Sequence, residues 1–411
     1  MMRSSGSDGA AATRWSMRLV PCIVFASFVV PSYAFIHRVC VHDLYHTRRK
    51  TGLFVAMLVL YVLFIFLTMA AYLRTALAIQ RDPGLVPLIH DLDPGGKTQT
   101  DRKAARGRDL EANPWVPPDQ NPDSPGLEAF YSKDVFVCEA DGRPKWCSEC
   151  RQWKPDRAHH SRELGRCVRK MDHLCPWVGG MVSETSFNFF FQFTLYTVCL
   201  CAVGVGASAY CLQQQSSRGP SVDGWVISVV AVTSFYAFFA SAMVLTSLRF
   251  IFTNITNIDV LKKSQVVYLA VRIPRHSPPS TRFSTIVYPL PRPAPWPTSQ
   301  RAPAPPTGAD LDPASARDQR ATRKFAILRA DNRENPWDLG FWANWKSVMG
   351  NHVVDWLLPL RHSPCCNHES MRSDYELGPL LTKLKRQYDV PDLDGDVGGT
   401  VEMHDAIRRT T

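Results

Sequence analysis

Within "KMDHLCPW" (Lys170–Trp177) the chain sets a carboxylate, an imidazole and a thiol inside four residues. In extended backbone, residues i and i+2 share a face, so Asp172, His173 and Cys175 can act as orienter, base and nucleophile. Arg166, Arg169 and Lys170 add positive charge, which favours a thiolate. Read locally, the same residues also describe a buried cysteine in a small Cys-rich fold, and both readings stand at this point. Just upstream, Cys147, Cys150, a histidine and Cys167 follow the spacing C-x2-C-x9-H-x6-C. Two cysteines at C-x2-C plus a His and a Cys from a second strand or loop can close a tetrahedral Cys3His zinc site. Unligated thiols are the alternative, the spacing does not choose between His159 and His160, and Cys175 itself could be a further ligand.

The elements that must carry this cluster are apolar. Four blocks with almost no charge, over residues 17–36, 52–73, 187–212 and 225–248, each match the length an α-helix needs to cross hydrocarbon. We therefore expect an all-α integral membrane protein of four transmembrane helices, with a small, loop-rich, zinc-bound Cys-rich domain between the second and third. The first block also resembles a cleaved signal peptide, since Pro21 and Pro31 interrupt it and Ser32-Tyr33-Ala34 ends it. Twelve lysines and arginines flank the blocks on one side, among them Arg74, Arg81, Arg169, Lys170, Arg249 and Lys262, against five on the short hairpins, Arg38, Arg48, Arg49, Lys50 and Arg218. This bias places the Cys-rich domain and both termini in the cytosol. A reducing compartment then disfavours disulfides, so the cysteines read as metal ligands or reactive thiols. The net charge of +10 fits a face lying against anionic lipid; acids interrupt the basic runs and aromatics do not, which excludes a nucleic-acid surface.

Between the blocks the chain reads as a polar, disordered tail over 1–16, a connector over 74–134 that begins with "RDPGLVP", the Cys-rich domain over 135–186, and a C-terminal region over 249–411. The last holds a Pro-rich linker, 274–313, and an aromatic motif, "ENPWDLGFWANWKSVMG", over 334–350, whose three tryptophans need the helix bundle or the lipid interface to pack against. Asn254-Ile255-Thr256 is a sequon, but on the cytosolic side it is not a glycosylation site. Cys365-Cys366, a vicinal pair on the tail, are candidate acyl acceptors in their own right.

"CSECRQWKPDRAHH" followed by "CVRKMDHLCPW" resembles the Cys-rich domain of the DHHC protein S-acyltransferases, or palmitoyltransferases. "DPG" after the second block, "TNID" (Thr256–Asp259) as a weakened Thr-Thr-x-Glu motif, and the aromatic motif with Asn344 fit the same family. The resemblance spans about Leu19 to Gly350 apart from the linkers, and "DHLCPWVGGMVSETSF" looks most like a fungal subgroup with a degenerate finger. It implies that Cys175 takes an acyl group from fatty acyl-CoA, that His173 takes its proton, and that Asp172 holds the imidazole tautomer. It also implies that Lys154, Arg157, His159 and Trp177 face acyl-CoA, although the three basic residues read equally as a solvated face.

The family interleaves two zinc sites along this segment. The resemblance keeps one set as Cys147, Cys150, His160 and Cys167, while the other falls on Ser161, Leu164, Leu174 and Met181, none a good ligand. One structural zinc is therefore expected, with Leu164, Leu174 and Met181 forming an apolar cluster where the second would sit. The implied partners are fatty acyl-CoA, the bilayer, and membrane-associated proteins with cytosolic cysteines. A catalytically inactive scaffold of the same fold, binding acyl-CoA or client proteins, is the rival reading; a transporter is disfavoured because the blocks lack intramembrane acids and bases.

Overall fold

The computed structural model describes residues 5–88, 121–262 apart from 123 and 220, 266–290, 323–366 and 375–393. The middle of the expected connector and the Pro-rich stretch beyond 290 lie outside the described residues. The chain forms two compact units: Met1–Val86, Arg157–Lys263 and Trp337–Gly378 make the first, Pro87–Asp156, Ser264–Pro336 and Pro379–Thr411 the second.

The first unit is built on four helical segments long and apolar enough to cross a membrane, Trp15–Thr47, Thr51–Arg81, Phe187–Ser216 and Gly224–Thr253, with mean hydropathy of 2.1, 2.8, 1.8 and 1.9. They correspond to α1 (Ser5–Ala34) with the π-helical turns Phe35–Thr47 that continue it, then α2 (Thr51–Arg81), α4 (Phe187–Ser216) and α5 (Gly224–Thr253). At 1.5 Å per residue such helices run roughly 45 Å, well beyond the ~30 Å hydrocarbon layer, so their ends stand clear of it. The tail expected to be disordered is helical from Ser5. Ala10, Ala11 and Ala12 are strong helix formers, and an existing helix extends into them without a new nucleation cost.

Two residues explain how α1 and α4 meet their neighbours. Pro21 lacks an N–H and so leaves the Met17 carbonyl without its helical donor; Gly179 lies against that carbonyl, where a Cβ would come within 3.1 Å. Gly204 of α4 lets Thr233 of α5 approach so closely that a Cβ would sit 3.0 Å from its methyl group. Hydroxyl pairs tie the bundle internally, Ser32 with Tyr61 at 2.9 Å and Tyr236 with Ser27 at 3.0 Å. At the Thr51 end of α2, Asp43 and Arg48 form a 2.6 Å ion pair with side chains only 4% and 3% exposed, completed by Gln215.

The second unit corrects the all-α expectation. β1 (Val135–Cys138), β8 (Tyr268–Ile273), β10 (Arg323–Arg329) and β9 (Ser284–Tyr288) form an antiparallel sheet in the order β1-β8-β10-β9. Phe136, Ala270 and Ile327 stand side by side across it. α3 (Leu127–Tyr131) covers one face, where Phe130, Tyr131, Phe136 and Phe325 interlock edge to face around a core that includes Trp153. β8 is buried on both faces, as a central strand must be. Proline density drew the eye to a linker over 274–313, yet β9 lies inside that stretch; prolines flank the strand and leave its own residues free to pair. α9 (Leu380–Tyr388) follows in the same unit, its Lys383 bonded to Glu334 and its Tyr388 to the Arg329 carbonyl.

Candidate active site and metal centre

The Cys-rich segment is a run of short hairpins, so it too is less loop-rich than expected: β2 (Trp146–Cys147) with β3 (Gln152–Trp153), β4 (His159–Ser161) with β5 (Arg166–Val168), and β6 (His173–Cys175) with β7 (Gly180–Val182). Cys147, Cys150, His160 and Cys167 bring their ligand atoms within 4.8 Å of one another. His160 faces Cys167 across the β4–β5 ladder, while the Cys150 amide donates to the Cys147 sulfur at 3.5 Å. Zinc–sulfur bonds of about 2.3 Å place tetrahedral neighbours roughly 3.8 Å apart, so three thiolates and an imidazole at this separation fit that ion. No second cluster of metal-ligating type occurs among the described residues.

The positions of the second set behave as two kinds. Leu174 and Met181 face each other across β6–β7 and join Val168, Met171, Leu85 and Ile258 in an apolar cluster. Leu164, expected with them, is 37% exposed; the Ser161 hydroxyl accepts its amide at 3.3 Å and bonds Glu163 at 2.9 Å, so this end is a closed turn and contributes no packing. Leu85 reaches the cluster because the chain after α2 adds to β5 as an extra strand, Val86 N donating to Cys167 O and Arg169 N to Gly84 O. Gly84 makes that turn possible: its φ is +77°, and a Cβ would lie 2.9 Å from the Ser183 hydroxyl. Ser183 and Thr185 in turn bond the Pro83 and Asp82 carbonyls, which seats the loop after β7 on the "DPG" turn.

β6 is extended, as the chemistry requires. Asp172 Oδ2 lies 2.6 Å from His173 Nδ1, and Asp172 Oδ1 accepts the Asn257 amide at 2.9 Å. That amide is at the start of α6 (Asn257–Leu261), fixed by a capping box in which Thr256 and Asp259 bond each other's backbone. The His173 ring, two residues before Cys175 on the same strand, lies edge-on to Phe190. Burial pulls the imidazole pKa down, but the hydrogen bond that it donates to Asp172 and then the influence of nearby Cys175 outweigh it and hold it at about 9. Cys175 is 5% exposed and packs with Val24, Tyr72, Ile79 and Phe190 from α1, α2 and α4. Its ladder partner is Gly180, where a Cβ would come within 2.5 Å of Ile79. The thiol is thus enclosed by apolar side chains of membrane-type helices.

The acyl-CoA candidates have different fates. Arg157 is not on an open face: it bonds the Asn254 side chain and carbonyl at 2.8 and 2.9 Å and Asp259 at 2.7 Å, and it stacks on Trp337. Asn254, the sequon residue, caps α5 in the left-handed region and donates to the Trp337 carbonyl, while buried Asn344 donates to Phe252 O. Arg157 therefore pins the Cys-rich segment to the end of α5 and to the aromatic motif. His159 is half-buried and lies 3.2 Å from Lys262 Nζ, and Lys154 is half-buried. Trp177 is 51% exposed beside Phe239, with its carbonyl held by Tyr72.

The sequence did not show that Lys170, Glu184 and Cys365 meet behind Asp172. A small cavity there is lined by Lys170, Asp172, Ser183, Glu184, Phe250 and Cys365. Lys170 Nζ approaches the Cys365 sulfur at 3.7 Å, and the Cys366 thiol donates to the Glu184 carbonyl at 3.0 Å. The adjoining Cys366 side chain and the charge of Lys170 pull the Cys365 thiol pKa down against its burial; burial pushes the Glu184 carboxyl up to about 7. Both vicinal thiols therefore have partners within the fold.

The profile of the DHHC palmitoyltransferase family matches residues 140–264. Palmitoyltransferase pfa5 of Aspergillus fumigatus is 36% identical, over 90% of this chain and 89% of that protein. Palmitoyltransferase pfa5 of Emericella nidulans is 33% identical, over 94% and 88%, and Palmitoyltransferase PFA5 of Saccharomyces cerevisiae 23% identical, over 61% and 64%. The chain belongs to the DHHC palmitoyltransferase family. Its activity is that of a protein S-acyltransferase in a membrane.

Purified protein should carry about one zinc ion per chain by elemental analysis, because the second ligand set is an apolar cluster and a closed turn. Cys150→Ser should lose the metal together with much of its thermal stability, whereas Ser161→Ala should leave the zinc content unchanged. Two tightly held ions per chain would contradict the assignment.

Proposed function

We propose that Cys175 is the acyl-carrying nucleophile, served by His173 and Asp172, and that the donor is a fatty acyl-CoA. The observation that carries this reading is the Asp172–His173 bond beside a strand whose Cys175 is packed among apolar side chains of α1, α2 and α4. Near neutral pH a ring with a pKa of about 9 is protonated, which puts a positive charge beside the Cys175 sulfur. The thiolate attacks the acyl carbonyl, the carbon–sulfur bond to CoA breaks, and CoA leaves with the proton from His173. In the second step a client cysteine gives its proton to His173 and attacks the Cys175 thioester, which returns the enzyme thiolate. Asp172, held by Asn257, keeps the imidazole tautomer aligned through both steps. Each exposed CH2 of the chain costs about 0.8 kcal/mol, so the acyl tail belongs among Val24, Tyr72 and Phe190 while CoA stays in water. His159 with Lys262, and Lys154, are the cationic groups we assign to CoA phosphate; Trp177 lies at the membrane edge of the thiol. A single structural zinc on Cys147, Cys150, His160 and Cys167 would brace the hairpins without entering the chemistry. Client proteins are membrane-associated, with cysteines on the cytosolic side.

Incubation of purified protein with palmitoyl-CoA should yield a hydroxylamine-sensitive adduct by intact mass, absent in Cys175→Ser. His173→Gln should slow its formation by about 10²–10⁴-fold, the usual weight of a positioned acid–base group. Acylation of client cysteines at the wild-type rate by Cys175→Ser would overturn the assignment.

The raised His173 pKa also predicts a pH effect on stability. A group whose folded value exceeds its unfolded value of 6.5 stabilises fully below 6.5, and that contribution disappears as pH climbs through about 9. Thermal midpoints of wild type and His173→Gln should therefore converge between pH 7 and 10; a constant difference would refute the ion pair.

The Lys/Arg bias supports a cytosolic Cys-rich domain and cytosolic termini. Trypsin added to the cytosolic face of sealed microsomes should cut at Arg282 and spare Arg218 until the vesicles are opened. Cleavage at Arg218 in intact vesicles would reverse the orientation.

A further inference from the structure

Asn188, Gln192 and Tyr196 recur every fourth residue along α4, and all are at most 5% exposed. Polar side chains on a membrane-crossing helix need protein partners. Here the partners are backbone carbonyls from far along the chain: Asn188 donates to Arg361 O at 2.9 Å, Gln192 to Asp355 O at 2.8 Å and Trp356 O at 3.1 Å, and Tyr196 to Leu357 O. Asn188 and Tyr196 are eight residues apart, so the segment they hold follows α4 inward for about 12 Å at 1.5 Å per residue. Because the ends of α4 stand clear of the ~30 Å hydrocarbon layer, Asn188 lies at its border and Tyr196 makes the bond that reaches inside it.

The segment is α8 (Val353–Leu357) and the residues after it. Its donors are satisfied locally, Asp355 N by His352 O and Leu358 N by Val354 O, while α4 serves its carbonyls. Arg74, two turns inside the end of α2, adds a bond to Leu360 O at 3.2 Å. Trp356 turns inward onto Phe191 and Val348, its indole N–H on Gly350 O. Val353, Val354, Leu357, Leu358 and Leu360 turn outward and are 39% to 59% exposed. Irregular backbone survives at membrane depth only where protein satisfies it, and this segment meets that condition.

We infer that Val353–Leu360 is a re-entrant wedge in the leaflet on the side of the Cys-rich domain, hung on the polar face of α4, with its outward apolar face in contact with lipid acyl chains. The bilayer is the occupant because the segment is bonded along the first turns of α4, a helix long and apolar enough to cross a membrane, and the side chains it turns outward are all apolar. A second copy of the chain would instead have to reach that surface within the membrane.

The test uses the whole protein in phosphatidylcholine nanodiscs doped with a phosphatidylcholine that bears a diazirine in one acyl chain. After photolysis and trypsin digestion, the peptide Ser347–Arg361 should carry adducts on Val353–Leu360 at the same density per residue as the exposed Phe235 and Phe238 of α5. Adducts on Phe235 and Phe238 with none on Val353–Leu360 would overturn the wedge. So would cross-links that join these residues in two copies of the chain.

Discussion

The carboxylate of Asp172 is gripped from two sides, and most of the first unit exists to keep that grip. One oxygen holds His173 at 2.6 Å; the other accepts the Asn257 amide at 2.9 Å. The amide is aimed only because Thr256 and Asp259 cap a single short helix, and Asp259 in turn neutralises Arg157. Arg157 is buried, so its charge must be paired to be tolerated. Its pairing with Asn254 and its stacking on Trp337 bind the end of α5 and the aromatic motif into the same network. A change at Trp337 or Asn344 would therefore be felt at the imidazole without touching it.

The hairpins that carry Asp172, His173 and Cys175 stand on two different foundations. A Cys3His cluster gathers the β4–β5 hairpin, while an apolar cluster around Leu174, Met181 and Val168 supports β6–β7. A metal site demands deprotonated ligands and a fixed geometry; apolar packing demands only shape and burial, here from Leu85 after α2 and Ile258 of α6. The support of β6–β7 thus comes from neighbouring elements and not from metal-ligating side chains. The "DPG" turn, which delivers Leu85, is therefore part of the support of the site.

The membrane helices contribute more than insulation. α1, α2 and α4 supply the apolar surround of Cys175, and the gaps at Gly179 and Gly180 let the hairpin approach Met17 and Ile79. On its other side α4 offers Asn188, Gln192 and Tyr196 to backbone carbonyls. One helix therefore packs against Cys175 with its apolar face and anchors the chain beyond the aromatic motif with its polar face.

Composition and spacing made legible the four membrane-type helices, the C-x2-C, His and Cys pattern around Cys147, Cys150 and Cys167, and the grouping of Asp172, His173 and Cys175, because each depends on residues near one another in the chain, while His160 rather than His159 is the histidine that the fold brings to the cysteines. Helix length follows from uninterrupted apolar runs, and ligand or relay geometry from short hairpins. The sheet of the second unit was not legible: β8 and β10 are about fifty residues apart, and only their pairing makes strands of segments embedded in Pro-rich sequence. Tertiary structure also decided that Arg157 is a buried pin, because burial depends on Asn254 and Trp337, roughly 100 and 180 residues away. It separated exposed Leu164 from Leu174, although both replace metal ligands by sequence position. Local patterns specify what a residue can do; the long-range contacts that exclude water specify which of those things it does.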